Sequence, residues 1–260
     1  MKGFLFDIEF TWGFQSRIVG MSKTSPSYSF PPPTTILGAL AESYSKSRNL
    51  SESRGVQTMI ELSREILAFG YRSLNAVPVS FQDINRVLAL GSRGGISYPS
   101  TRDVYGSFDA PAKGKTLLSS VDDNPPRLRS MIVFSDETDV NAEDIWKIRR
   151  IGTKESLVSI IDVVEKTPEV VKDTVKTNYS LPIVDNEIKI EDKGGFFIDL
   201  YFVPLIRNPL ADAPSRLYLE SKVIKYKIAI PYRDYYIKVR LPSGYVGYKI
   251  DQEVVVGIES

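Results

Sequence analysis

The sequence predicts an α+β fold whose core runs β-α-β-β-α-β, the ferredoxin-like plan, followed by a β-rich part. Three observations carry that expectation. Phe4, Phe6, Ile8, Phe10 and Trp12 alternate with Leu5, Asp7, Glu9 and Thr11, the period of a strand with one apolar face. An apolar helical repeat follows at Ile36, Leu37, Leu40, Ala41 and Tyr44. A shorter helix signal between Asn141 and Gly152 then separates two strand-like runs, 128–134 and 157–164.

Each element has a local cause. Pro31, Pro32 and Pro33 fix φ and lack N–H groups, so they predict a stiff extended lead that is not itself helical. Thr34 or Thr35 is placed to accept from the unpaired N–H groups at the helix start. Gly38 weakens that helix by about 1 kcal/mol relative to Ala and predicts a close packing contact. Val56, Met59, Ile60, Ser63 and Leu67 predict a second helical run that stops at Gly70. Residues 71–90 read as extended, with Pro78 at an edge or a bulge. Asn141 caps the later helix, Glu143 and Asp144 fill its first turn, Arg149 and Arg150 its last, and Gly152 closes it.

The connection between the middle strands, roughly Gly91 to Arg127, is too long for a passive turn. Five glycines with Arg93, Arg102, Lys113 and Lys115, interleaved with Tyr98, Tyr105 and Phe108, predict a mobile, partly ordered hairpin outside the core. The expected layout is therefore a core part at 1–170 with an insertion at about 91–127, and a β-rich part at 171–260 packed on it. In that last part Ile224–Ile230 and Tyr235–Leu241 alternate with lysines and arginines, so two neighbouring strands are expected to show a basic face.

Composition excludes several classes of chemistry. The chain has 260 residues, 42% hydrophobic and 25% charged, ordinary for a globular protein. No run approaches 18 apolar residues, and acids come too early for a signal peptide, so a cytoplasmic chain with no membrane association is expected. With no cysteine there are no disulfides, thiolate nucleophiles or Cys-based zinc sites; with no histidine there is no Ser-His triad and no imidazole acid or base. Scarce Asn and Gln beside abundant Lys, Arg, Glu and Asp hint at a thermophilic source. Net charge is only +1, but charge is segregated. Seven cations against Asp234 lie between Lys222 and Lys249, and seven acids against Arg127 and Arg129 between Ser119 and Asp144. Such segregation suits one face for phosphate and another for protein, or simply solvated faces.

Three constellations are candidates for a binding site. Arg17, Lys23, Ser25 and Tyr28, in a hydroxyl-rich loop before a helix start, suit phosphate oxygens; a plain surface loop would look the same. GSRGGISYPSTRDVYG, 91–106, offers Arg93, Tyr98, Arg102 and Tyr105 for pairing with phosphates and stacking on bases, or is a solvated hairpin. IRRIGTKES, 148–156, with Arg149, Arg150 and Lys154, is explained by helix capping alone or by a basic contact. Neither 91–106 nor its surroundings match a nucleotide-cradling motif. The acid pairs Asp122-Asp123, Asp136-Glu137 and Glu143-Asp144 read as solvated acids or helix-start residues, so no metal and no cofactor are expected.

PPPTTILGAL after a loop ending in Tyr and Phe, with Arg17 upstream and IRRIGTKES before the fourth core strand, resembles the Cas-five family of the RAMP superfamily, subunits of CRISPR interference complexes. The likeness covers the first 165 residues well and the remainder loosely. It implies a ferredoxin-like RAMP domain with the insertion as a hairpin thumb. It implies a non-catalytic subunit that caps the 5′ handle of the guide RNA (crRNA) and contacts the large subunit and the first backbone subunit in antiviral defence, with no small-molecule substrate. Length and composition suggest the type I-A branch. The implied RNA contacts are Arg17, Lys23, Ser25, Tyr28, Thr34, Thr35, Arg93, Tyr98, Arg102, Tyr105, Arg149, Arg150 and Lys154. One branch of the family cleaves precursor RNA with a Tyr/His/Lys-type site, and the lack of histidine departs from it. A metal-independent endoribonuclease using Tyr and Lys, or a sibling RAMP backbone subunit, remain the alternatives.

Overall fold

The first strand, β1 (Lys2–Phe10), presents a different chemistry on each face, and the rest of the chain is arranged on those two faces. The structure is a computed structural model that describes residues 1–260 except 17, 19–25, 85–86, 110–111, 184–187 and 203–224, with the backbone alone described at 52, 83, 84, 87, 93, 109, 112, 113, 202, 225 and 226. After β1 come the short β2 (Gly13–Phe14), helix α1 (Pro33–Ser47), a 3-10 turn, helix α2 (Gly55–Glu65) and β3 (Ile66–Ser73). A long antiparallel arm follows, β4 (Ala76–Ile84) against β9 (Ala112–Ser120), with β5 (Val87–Leu88), β6 (Gly91–Arg93), β7 (Ile96–Tyr98) and β8 (Phe108–Asp109) between them. Then come β10 (Arg127–Phe134), the five-residue α3 (Ala142–Trp146) and β11 (Val158–Lys166).

The remaining strands are β12 (Glu169–Val171), β13 (Thr174–Thr177), β14 (Leu181–Ile183), β15 (Lys189–Ile190), β16 (Phe196–Phe202), β17 (Lys225–Pro231), β18 (Ile237–Arg240), β19 (Tyr245–Ile250) and β20 (Glu253–Ile258). The chain is thus of mixed α+β type, mostly strands with few helices. Its main sheet has seven strands in the order β11-β1-β10-β3-β20-β19-β12, with every pairing antiparallel. The last hairpin, β19-β20, joins this sheet through Gly257 opposite Ala68; a Cβ on Gly257 would lie 2.3 Å from the Leu67 carbonyl.

One face of β1 carries Phe4, Phe6, Ile8 and Phe10 into a core with Ile36, Leu37 and Leu40 of α1 and Ile132 and Phe134 of β10. Aromatic burial of this kind supplies most of the driving force for packing helices on the sheet. On the other face the register sets Asp7 opposite Arg129 and Glu9 opposite Arg127. Arg129 donates to both Asp7 oxygens at 2.6 and 2.7 Å, and reaches Glu253 of β20 at 3.2 Å. Arg72 of β3 donates to the same Glu253 at 2.6 and 3.2 Å. The ion pairs therefore bind four strands together across the sheet and hold the Arg129 guanidinium above its already high ordinary value, Asp7 being the main cause.

Several expectations change. Pro33 is the first residue of α1 and Pro32 its cap, with no side chain capping the helix, so Thr34 and Thr35 lie inside the first turn. A fixed φ and a missing N–H suit proline to that position, which is why the proline run enters the helix instead of stopping short of it. The second helix stops at Glu65, and Leu67 and Gly70 belong to β3, whose pairing with β10 overrides the helical spacing; Gly70 lies opposite Met131 and Leu67 falls at a register shift. A Cβ on Gly38 would meet only the Met59 sulfur, at 3.9 Å, so packing does not require glycine there. Residues 71–90 do not form one core strand: the chain leaves the main sheet at Ser73 and re-enters at Arg127, and the arm starts at Ala76. Pro78 does lie on an edge, since β4 is the outer strand of β2-β9-β4. Asn141 caps α3 in a capping box with Asp144, but the helix ends at Trp146, so Arg149 and Arg150 follow it. Finally β17 and β18 lie in different three-stranded sheets and do not build a shared basic face.

The ion-pair ladder makes a stability prediction. Arg129→Met should destabilise the protein by about 3 kcal/mol in urea unfolding, because it removes the main partner of Asp7, which is only 10% exposed. Lys166→Ala, which breaks an exposed pair with Asp251, should cost less than about 1 kcal/mol. Equal costs would mean that the ladder does not fix the sheet.

Candidate nucleic-acid interface

The segment after β1 turns sharply and touches three other parts of the chain. Gly13 pairs with Leu117 of β9, and a Cβ there would lie 2.1 Å from the Thr116 carbonyl; its φ of +144° is open to glycine alone. The Trp12 indole donates to the Glu155 carbonyl at 2.8 Å, and Gln15 N–H donates to the Ser156 hydroxyl at 3.2 Å. Ser16 shares a hydrogen bond with the Thr35 hydroxyl at 3.2 Å, and its carbonyl accepts from Tyr28 N–H at 3.2 Å.

These contacts lay the loop after α3 along the first turns of α1. Between them is a cavity of about 430 Å³ lined by Thr34, Thr35, Gly38, Ala39, Glu42, Arg150, Gly152 and Lys154. The helical residues recur at spacings of one turn, which puts them on one side of α1. Gly152 has φ +100°, and a Cβ there would come within 2.7 Å of the Gln15 carbonyl, so the close approach of the loop depends on glycine. The far end of α1 is anchored as well. Arg48 donates to Asp144 at 2.9 Å, lies over the Tyr44 ring at 3.6 Å, and also pairs with Asp139. Tyr44 donates to Asp139 at 2.7 Å, and burial together with that carboxylate pushes its phenol up to about 12.

The cavity is polar and carries more positive than negative charge. Arg150 donates from Nε and Nη2 to the two Glu42 oxygens, both at 2.8 Å. Burial pushes the Glu42 carboxyl up, but Arg150 and Lys46 outweigh it and hold the group below its ordinary 4.5. Arg150 thus enters the wall already neutralised, while Lys154 is exposed at the rim. Hydroxyls, an ammonium and a helix start are suited to phosphate oxygens and sugar hydroxyls.

Of the residues chosen from sequence, the structure brings together Thr34, Thr35, Arg150 and Lys154. Arg149 is exposed just outside the lining and its carbonyl accepts from Val158. Tyr28 is 2% exposed and packs edge-on against Tyr201 at 4.8 Å, so its ring belongs to the core. Apolar burial won over the loop position that marked it as a contact. Arg17, Lys23 and Ser25 lie outside the described residues. Tyr98, Arg102 and Tyr105 sit at the tip of the arm and none of them lines the cavity. There the Tyr98 hydroxyl donates to Asp103 at 2.7 Å, and Gly106 N–H with Tyr98 holds the Asp103 carboxyl below its usual range. Tyr105 is 94% exposed.

Glu42 and Lys115 were not chosen from sequence. Glu42 follows Thr34 and Gly38 at four-residue spacing, a signal present in the sequence. Lys115 comes within 6.0 Å of the Trp12 ring centre only because β2 pairs with β9, which no local pattern announces. The acid pairs are mostly engaged: Asp122 accepts from Asn75, Asp136 pairs with the N-terminal amine, and Asp144 completes the capping box. Among the described residues no three acidic side chains gather as a metal site, and no helix is long and apolar enough to cross a membrane.

An antiparallel main sheet, a projecting arm and a basic cleft at the start of the first helix define a class that the comparisons then identify. The family model described as "CRISPR-associated protein (Cas_Cas5)" matches residues 4–138. The chain is 34% identical to a CRISPR protein from Archaeoglobus fulgidus over the full length of both, and the two structures superpose with a TM-score of 0.71. It is 27% identical to "CRISPR-associated protein Cas5 2" of Saccharolobus solfataricus over 70% of this chain and 68% of that one. It is 29% identical to "CRISPR system aCascade subunit Cas5 1" of the same organism over 65% of this chain and 67% of that one. The chain belongs to the CRISPR-associated Cas5 family.

The Glu42–Arg150 pair makes a pH prediction. A carboxyl lowered by folding stabilises fully above its ordinary 4.5, and the contribution is lost as pH falls through the lowered value. Glu42→Gln should therefore be less stable than the wild type by about 0.5–1 kcal/mol at pH 7. The gap in melting temperature should close as pH drops well below 4.5, where Glu42 is itself neutral. A gap that stays constant down to pH 3 would mean that the pair contributes through shape and not charge.

Proposed function

We propose that the chain is a non-catalytic crRNA-binding subunit of a Cascade-type CRISPR complex, holding the 5′ handle end of the guide in the cleft between α1 and the loop at 150–154. The observation that carries this reading is the convergence of Thr34, Thr35, Arg150 and Lys154 on one cavity. Those four residues were chosen from two motifs more than a hundred residues apart. Lys23 and Ser25 fall in the sequence between Ile18 and Pro26, whose N–H and carbonyl are hydrogen-bonded, and Arg17 precedes Ile18; all three are proposed as RNA contacts from sequence alone. We read β11-β1-β10-β3 with its helices as the ferredoxin-like RAMP core and the β4–β9 arm as the thumb. In this reading Arg93, Tyr98, Arg102 and Tyr105 at its tip meet guide RNA or a neighbouring backbone subunit, and Arg149 continues the basic rim. A relative named as an aCascade subunit supports placement in such a complex, with a large subunit and backbone subunits as partners in the cytoplasm. A type I-A assignment fits the archaeal relatives.

The absence of histidine and cysteine from the whole sequence supports a binding role, since metal-independent RNA cleavage commonly needs a group that titrates near neutral pH. Labelled repeat RNA incubated with excess protein, with and without magnesium, should remain intact. Site-specific products that disappear on replacing a tyrosine or lysine would establish the endonuclease alternative.

The cleft predicts an unequal response to charge removal. Lys154→Ala should weaken guide-RNA binding and flatten the salt dependence by about 0.7 of a unit, one phosphate contact on single-stranded RNA. Arg150→Ala should change the slope less, because its guanidinium is already paired with Glu42. Fluorescence anisotropy across a salt series reads both. Unchanged affinity and slope for Lys154→Ala and for a Thr34→Val/Thr35→Val double variant would remove RNA from this cleft.

A further inference from the structure

The turn after β17, with Tyr232, Tyr235 and Tyr236, plays no part in the proposed RNA cleft. The three rings are 51, 58 and 53% exposed. In the same protein Tyr28, Tyr71, Tyr179, Tyr201 and Tyr248 are fully buried. Two of the exposed rings are held from behind. Tyr232 packs on Phe197 with centroids 5.8 Å apart, and Phe197 packs on the core residue Phe30 at 6.3 Å. Tyr235 meets Tyr232 edge-on at 6.5 Å and covers Gly195, where a Cβ would come within 2.7 Å of its ring. Tyr232 N–H also donates to the Gly195 carbonyl at 2.9 Å. Those two rings are fixed on one side and open on the other, and Tyr236 lies exposed beside them. Aromatic area that is already ordered loses little entropy when a partner covers it, which is why tyrosine dominates the energetic centres of protein interfaces.

The charge around the turn selects the partner. Asp122 and Asp123 are exposed in the turn before β10, and Asp234 is 82% exposed. Arg233 ties the two turns together: it pairs with Asp234 at 3.3 Å and acts through space on Asp122. Asn75, donating at 2.8 Å, is the main cause that keeps the Asp122 carboxyl below its usual range. Asp234 and Asp122 therefore both act on Arg233, Asp123 follows Asp122 in the same exposed turn, and the cation is already engaged with Asp234. A polyanion would be repelled from such a rim, whereas arginine or lysine side chains would find both carboxylates and open tyrosine faces.

We propose that the Tyr232–Tyr236 turn, with Asp122 and Asp123 beside it, is a docking surface for a basic segment of a neighbouring protein subunit. The partner's cations stack on the tyrosine faces and pair with the carboxylates. The proposal rests on the reading of this chain as one subunit of a larger complex, but not on the RNA cleft, which uses other residues.

The test uses the full chain co-expressed with its natural complex. Tyr236, which has no ring partner among the described residues, is replaced by a benzophenone amino acid and the purified complex is irradiated. The expected product is a cross-link to a protein segment containing arginine or lysine. A cross-link to RNA, a cross-link to a segment without cations, or no cross-link in an assembled complex each overturns the proposal. Asp122→Lys/Asp234→Lys should then weaken retention of the cross-linked subunit about tenfold, with the loss shrinking at high salt. Guide-RNA affinity of the isolated chain, which reads the cleft instead, should fall by less than about twofold. Retention unchanged by the charge reversal overturns the proposal. If that variant unfolds through the loss of Asp122's hydrogen bonds, Tyr236→Ala takes its place with the same two readouts, and unchanged retention has the same meaning. Loss of RNA affinity in Tyr236→Ala at unchanged melting temperature would assign the turn to RNA.

Discussion

The backbone of Gly13 lies so close to Thr116 and Leu117 that no side chain fits between them. On that contact depends how three distant parts of the chain are placed. Because β2 sits against β9, the arm is fixed to the end of β1, and Leu118 N–H donates to the Trp12 carbonyl at 2.9 Å. Because the same segment carries Trp12, Gln15 and Ser16, the loop at 150–156 and the start of α1 are tied to it too. A second steric constraint, Gly152 beside the Gln15 carbonyl, completes the arrangement. The cleft is thus a consequence of two close backbone approaches, and its polar side chains line a space that the glycines create.

Elements with a strong local cause were legible in the sequence. The alternation in β1, the capping signal at Asn141 and the proline-led α1 all rest on short-range physics, and the structure contains all three. Boundaries failed where a longer-range pairing competed. The helical spacing through Leu67 and Gly70 is genuine, yet drawing this segment into β3 beside β10 buries Leu67 and Ala68. The strand-like run after Tyr71 is equally genuine, but nothing local says that its second half leaves the sheet for the arm at Ala76.

The candidate site shows the same division. Thr34, Thr35, Arg150 and Lys154 could be chosen because they flank helix ends, where unpaired backbone groups and basic side chains gather. Tyr28 could not be rejected, because the burial of its ring depends on Tyr201 in a strand far along the chain. Glu42 was within reach of a helical spacing argument, whereas Lys115 depended on a strand pairing.

Charge runs along the sequence misled for a related reason: they count side chains before pairing. The basic stretch near the C-terminus looks like a phosphate-binding face, but Lys238 and Arg240 both reach Glu191, at 2.6 and 2.9 Å. Those two cations also hold the Glu191 carboxyl below its usual range, Lys238 being the main cause. In the acidic stretch Asp144 is consumed by a helix cap and Arg48, and Asp139 by Tyr44 and Arg48. What a partner meets is the charge still exposed after such pairing, carried by residues such as Lys154 on one side and Asp123 on the other. Asp122 and Asp234 are exposed as well, although Asn75 and Arg233 engage them. The remainder is smaller than the runs suggest and differently placed. It puts positive charge at the start of α1 and negative charge around the exposed tyrosines, so a polyanion and a basic protein segment can occupy the same subunit without competing for a surface.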